Sequence, residues 1–299
     1  MSFNDNVRLD TSQVESGGRS GAPGGLVVGG GLGGVVILIL GLIFGINPSD
    51  LPTSGMDPGQ VSAAGTGSSF DQCRSGADAN RDDTCLVVAT VNSVQDYWSG
   101  VFTAGGRDYT PAKTVIYSGQ TQSACGVASN QVGPFYCPLD KKVYIDASFF
   151  TLLQTQFGAD TGQLAKEYVV AHEYGHHIQD ELGLLDRAQQ DPQGPQSGSV
   201  RTELMADCLA GVWANHATET KDAGGTAFLT GITRQDLLSA LSAAKSVGDD
   251  HIQSTMGGGT VNPESWTHGS SKARQQWFLT GYNSGDINAC NTFSAATVE

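Results

Sequence analysis

His172, Glu173 and His176 are the residues of this chain whose types and spacing can do chemistry together. On an α-helix, positions four apart stand one above the other on the same face. Two neutral imidazoles so placed can share one Zn²⁺, with bonds of about 2.0–2.1 Å. Glu173 is turned by about one residue step of a helix, so it reaches a water beside the metal rather than the metal. This is the His-Glu-x-x-His arrangement, two ligands and a general base. A Zn²⁺ held there lowers the pKa of water to about 7, and the carboxylate takes the proton as that water attacks a carbonyl. The bland alternative is a surface helix with exposed histidines. Val169, Val170 and Ala171 before the motif and Ile178 after it argue for a buried helix instead. Buried His and Glu need partners.

A hydrolytic site needs a third protein ligand and an open fourth position. Asp180 shares the face of the two histidines, but residues 172 and 180 are about 12 Å apart along a helix, too far for bonds near 2 Å. Glu181 is rotated by about 140° from His176. A longer metal motif, with Gly at the third and His at the sixth position after the second His, fails because Gln179 and Leu182 stand there. Glu203, on the next expected helix, is the candidate third ligand, with His216 as the fallback. Asp207 lies one turn beyond Glu203 and is the candidate acceptor for the free ring N–H of a ligand His. His268 is the candidate donor to a developing oxyanion, although a structural His beside a helix start near Ser270 reads as well. Tyr136 and Tyr174 are weaker candidates. His177 points about 100° away from His176 and reads as a packing residue. His216 and His251 have no evident partner.

The elements that must position these groups are legible from periodicity. Residues 85–101 carry apolar side chains at helical spacing. Residues 114–117 and 142–146 are short β-like runs. Residues 125–138 read as a loop bracketed by cysteines, and 149–157 as a helix. The metal helix runs from about Gly162 to near Gly183. Residues 186–199 read as a loop rich in Gln, Gly and Pro, with Ser199 a possible cap for the Glu203 helix. Ala206, Ala210, Gly211 and Ala214 give that helix a small-residue side for close packing. Further helices are expected over residues 233–246 and 270–282.

The front of the chain reads differently. Residues 1–23 are polar and Gly- and Ser-rich, expected as a disordered cytoplasmic tail. Residues 24–46 carry no charge and, at 1.5 Å per residue, suffice to span a bilayer core of about 30 Å. A cleaved signal peptide is the rival, but Asp5, Asp10 and Glu15 sit badly in its leading region. Arg8 and Arg19 precede the run and no Lys or Arg follows until Arg74. That puts the N-terminus in the cytoplasm and the rest outside. Residues 47–69 read as a flexible linker, and 70–299 as the catalytic domain.

Six cysteines lie beyond the apolar run, an even count that suggests disulfides in an exported segment. Fifteen pairings are formally possible. Cys73–Cys85 and Cys125–Cys137 are the short-loop choices, leaving Cys208–Cys290. The net charge of -14 disfavours nucleic acid, which needs a basic face.

Several stretches together resemble the bacterial family of putative neutral zinc metallopeptidases, single-span envelope proteins. They are Cys125-Gly126, Gly133-Pro134-Phe135-Tyr136-Cys137-Pro138, Val143-Tyr144-Ile145-Asp146, the His172 motif, the run from Glu203 to Ala214, Gly248-Asp249-Asp250 and Thr267-His268-Gly269-Ser270-Ser271. The resemblance implies a zincin-like peptidase with a Glu third ligand, and says little about substrate. The expectation is therefore an α+β, mostly helical domain with a small sheet behind one transmembrane helix. It holds Zn²⁺ and hydrolyses a protein or peptide substrate outside the cytoplasm, anchored in the cell membrane through residues 24–46. The alternatives are a non-catalytic envelope protein with a structural zinc and an amidase acting on cell-wall peptides. Oligomeric state is left open.

Overall fold

Leu86, Val87, Val91, Val94 and Trp98 recur at helical spacing. In the computed structural model of the protein they lie buried on one helix, Asp83–Ala104 (α1), capped by the Asp82 carboxylate accepting from the Cys85 amide. The structure describes residues 1–17, 70–130, 132–160 and 162–299. Six strands are described: β1 Val14–Ser16, β2 Lys113–Tyr117, β3 Gln120–Ser123, β4 Gly126–Ser129, β5 Phe135–Cys137 and β6 Lys142–Asp146. Four form a sheet in the order β1-β2-β6-β5. The first three run parallel and β5 runs antiparallel to β6 at one edge. β3 and β4 form a separate hairpin.

The rest is helical: α2 Phe149–Thr155, α3 Gln163–Glu181, α4 Asp186–Gln190, α5 Gly198–His216, α6 Arg234–Ser246, α7 Asp249–Thr255 and α8 Ser271–Ser284. The architecture is α+β, with a small sheet and a larger helical part. Helix α3 sits at its centre, against α1, α5, α6 and the sheet. Its contact with α5 is unusually close because Gly175 faces Ala206: a Cβ at Gly175 would stand 2.9 Å from the Ala206 Cα. Helices α5 and α8 close in the same way. A Cβ on Gly211 would collide with the Phe278 carbonyl, and one on Gly281 with that of Cys208. The small-residue side of α5 is thus used on two neighbours.

All six cysteines are paired, as Cys73–Cys85, Cys125–Cys137 and Cys208–Cys290. The last closes 82 positions of chain and removes on the order of 4–5 kcal/mol of loop entropy from the unfolded state.

Several expectations need correction. Residues 1–17 are not a loose tail. Phe3, Val7 and Val14 are buried, and β1 joins the sheet. Composition misled because three apolar side chains and a set of main-chain hydrogen bonds are enough to order a polar segment. The loop over residues 125–138 contains two strands, β4 and β5. That over 186–199 contains α4. Ser197, not Ser199, caps α5, accepting from the Val200 amide, while the Ser199 hydroxyl donates to the Ala188 carbonyl. Residues 24–46 and 47–69 lie outside the described residues. Among the described residues, no helix is long and apolar enough to cross a membrane.

Glu167 on α3 is fully buried, with Gln163 donating to one carboxyl oxygen at 2.9 Å. Burial raises its pKa to about 8. The unfolded chain ionises near 4.5, so folding takes up a proton between these values. The stability Glu167 provides is complete below about pH 4.5 and lost as pH rises through about 8, with a slope of up to about 1.4 kcal/mol per pH unit. Glu167→Gln should flatten that decline in denaturant titrations from pH 5 to 8. An unchanged slope would refute the assignment.

Candidate metal centre

Helix α3 presents His172 and His176 on one face, and α5 brings Glu203 across from them. The Nε2 atoms of His172 and His176 lie 3.1 and 3.4 Å from the two Glu203 carboxyl oxygens. Donor atoms of all three residues fall within 4.8 Å of one another. A tetrahedral Zn²⁺ with bonds of 2.0–2.1 Å needs its ligand atoms about 3.3 Å apart. The donor set, two imidazoles and one carboxylate, therefore fits zinc in kind and in spacing.

Each histidine is oriented through its other nitrogen. His172 Nδ1 donates to Asp207 Oδ1 at 2.8 Å, and His176 Nδ1 donates to the Gln179 amide oxygen at 2.8 Å. Both leave Nε2 turned to Glu203. Gln179 in turn donates to the Thr202 carbonyl at 2.6 Å, tying α3 to the turn before Glu203. Such partners fix the tautomer and ring plane of a ligand.

Asp207 is the most heavily satisfied carboxylate in the site. Besides His172 it accepts from the Tyr168 hydroxyl at 2.5 Å and from Arg274 Nε and Nη2 at 2.9 and 3.0 Å. Arg274 comes from α8, is buried, and also donates to the Val247 carbonyl. Burial is the largest influence and would raise the Asp207 pKa, but the charges of Arg274 and His172 and the hydrogen bonds they donate together outweigh it and hold the group below the usual carboxylate range. Burial also opposes a charge on His172. Asp207 overcomes this, and the metal-free imidazole is pushed up to about 10. Binding a cation there therefore releases a proton. The Glu203 carboxyl is held well below its ordinary value, because the charges of His176 and His268 and a hydrogen bond from His172 outweigh burial.

Glu173 is 7 % exposed and lines the same cleft. Burial raises its pKa, while the two histidines pull it down. His268 also lines the cleft. Its loop is clamped by Asp249, whose Oδ2 accepts the amides of Thr267, His268 and Gly269 at 2.8, 2.7 and 2.9 Å. His268 Nδ1 contacts the Thr267 hydroxyl at 2.9 Å and Asp249 Oδ1 at 3.5 Å. The cleft encloses about 190 Å³. Away from the donors its walls are apolar, with Phe149, Phe157, Val169, Val247 and Ile252 among them.

The other sequence candidates are engaged with other partners. Tyr136 lines the cleft, but its hydroxyl donates to Asp180 at 2.8 Å. The Tyr174 hydroxyl is engaged with Thr114 and the Ala112 carbonyl. His177 donates to the Thr110 carbonyl and meets the Tyr136 hydroxyl. His216 bonds to Gly285 and Glu219, and His251 to the Phe157 carbonyl. Glu181 pairs with Lys141. Cys73, Asp82 and Cys85 also cluster, but the two sulfurs form a disulfide and offer no thiolate. Sequence reasoning missed Tyr168, Gln179 and Arg274. Tyr168 carried a signal, lying one turn before His172 on the same face. Arg274, 102 positions from His172, carried none.

The sequence model of the family described as "Putative neutral zinc metallopeptidase" matches residues 2–293. An uncharacterized protein of Mycobacterium tuberculosis is 50% identical over 252 residues, covering 81% of this chain and 84% of that one. The uncharacterized protein YpfJ of Escherichia coli is 38% identical over 298 residues, 97% of this chain and 96% of its own. No solved structure matches the chain.

Glu203→Ala should abolish stoichiometric zinc in metal analysis, whereas Asp180→Ala should retain it. Zinc held at wild-type affinity without the Glu203 carboxylate would exclude it as a ligand. Arg274→Lys keeps a charge but loses the two-pronged grip on Asp207. It should weaken zinc binding by about 10–100-fold in competition with a chelator. An unchanged affinity in the folded variant would remove Arg274 from the centre.

Proposed function

The chain belongs to the putative neutral zinc metallopeptidase family, and from that premise and the geometry we propose that it is a zinc-dependent endopeptidase. The observation that carries this reading is the placement of Glu173 beside the His172, His176 and Glu203 donors in one apolar-walled cleft. Zinc, when bound, supplies Lewis acidity that polarises a carbonyl and acidifies water. His172, His176 and Glu203 would hold it.

Glu173 takes the proton from the attacking water and passes it to the nitrogen of the leaving amine. Its burial keeps the carboxylate poorly solvated and therefore basic. His268 donates a hydrogen bond to the carbonyl oxygen as that oxygen gains charge, with Asp249 fixing the loop that carries it. Asp207, Tyr168, Arg274 and Gln179 keep the two imidazoles in register. The apolar walls suit a peptide with a large apolar side chain next to the scissile bond. A site that only held a structural zinc would need neither a general base nor a cleft, and would favour a fourth protein ligand. An amidase acting on cell-wall peptides uses the same chemistry and is separated from a peptidase only by its substrate. The three disulfides favour an oxidising compartment, hence a domain outside the cytoplasm.

Glu173→Gln preserves shape and removes basicity. Zinc content should stay stoichiometric while hydrolysis of a mixed peptide library falls by about 10²-fold or more, read by mass spectrometry of the products. Wild-type activity in this variant would overturn the mechanism. Cleavage of cell-wall fragments alone by the native protein would shift the reading to the amidase.

A further inference from the structure

A second cavity lies apart from the metal cleft. It encloses about 460 Å³ and shares no lining residue with that cleft. The end of α1, the chain just after α3, helix α5 and the short turn Ile287–Cys290 meet around it. Its most buried lining residues are Phe102, Met205, Leu209 and Cys290, each 5 % exposed or less. Met205 is turned by about 200° from Glu203 on a helix, so the cavity lies behind α5 as seen from the metal donors.

The charges around this cavity are of one sign. No Asp or Glu lines it, and its charged lining residues are Arg107 and Arg187. Arg187 stands over the Phe293 ring at 4.8 Å and Arg107 over the Phe102 ring at 5.8 Å, and both rings belong to the wall. Arg107 donates to the Glu181 carbonyl, while the Glu181 carboxylate accepts from Lys141. Neither arginine forms an ion pair among the described residues. The chain carries 30 acidic residues against 16 basic ones. Two guanidiniums without a carboxylate, at one apolar cavity, run against that balance.

We propose that this cavity binds a single-chain amphiphile with a carboxylate head, of the fatty-acid class. Its volume falls within the range of small-molecule sites, about 300–1,000 Å³. The apolar wall takes the hydrocarbon out of water. The two guanidiniums, anchored over aromatic rings, offer N–H forks that a carboxylate accepts in two-pronged fashion. A neutral apolar ligand would leave both arginines unused, and a cation would be repelled. A protein partner needs an interface of about 800 Å² a side, which a cavity of this size does not provide. The proposal is independent of zinc and of peptidase activity.

The test mixes the purified full-length chain with laurate carrying a diazirine at its chain end, without detergent, which is itself an amphiphile. After irradiation, peptide mapping by mass spectrometry should find the label within residues 182–187, 205–209 or 287–293. Excess laurate should suppress labelling, and longer acids should do so more strongly, by up to about fourfold per added methylene. Dodecanol and dodecyltrimethylammonium should need roughly tenfold higher concentrations than laurate. Arg107→Gln combined with Arg187→Gln alters two exposed side chains. It should keep the Tm and weaken labelling by roughly tenfold. Competition by the alcohol or the cation as strong as by laurate would overturn the proposal. So would label absent from all three stretches, or full labelling in the folded double variant. The competitor series decides the matter in the native chain whatever the stability of the variant.

Discussion

Everything in the candidate site depends on how closely α3 and α5 approach at Gly175. His172 and His176 bracket that glycine, and Glu203 lies one turn before the Ala206 that packs on it. Two helices with ordinary side chains at the crossing stand 8–10 Å apart. A carboxylate on the second helix would then have to stretch to meet two imidazoles on the first. With no side chain at Gly175, the Ala206 backbone comes within van der Waals reach of α3, and a short acidic side chain suffices. The middle residues of the metal motif are therefore not neutral spacers. One is a buried carboxylate and another is a void.

The same crossing collects charge where there is little water. Asp207, Arg274, His172 and Tyr168 form a buried cluster whose members bond chiefly to one another. Burying such groups is unfavourable in itself, and only near-complete mutual satisfaction offsets it. Removing one member leaves the others charged and dry. This makes the cluster a poor source of net stability and a strong constraint on geometry. Arg274 also damps the anionic character that Asp207 would otherwise impose on His172, which bears on how strongly that ring donates to a cation.

What the sequence made legible was whatever its local spacing encodes. The helical period of α1, the i, i+4 histidines and the small face of α5 follow from the residues themselves, and the disulfide pairs from loop length. Glu203 was reachable by excluding Asp180 and Glu181 on helical geometry. The rest depended on contacts across long separations. Arg274 reaches Asp207 only because Gly211 and Gly281 let α8 lie against α5, and a distant pair of glycines does not announce what it brings together. The N-terminal segment failed for a different reason. Its few apolar residues are spaced to suit pockets on another part of the chain, not any period of their own, so composition marked it as solvated.

Helix α8 and the His268 loop bear on when the candidate site is complete. A ribosome delivers the histidines and Glu203 first, at about 5–20 residues per second, and Arg274 only 102 positions after His172. Until then His172 has an aspartate beside it with no counter-charge, and Cys208 waits for Cys290. The emerging polypeptide thus carries an unfinished site. The site is completed from the C-terminal end, because Arg274 and the Cys290 partner of Cys208 are the last of its parts to be made.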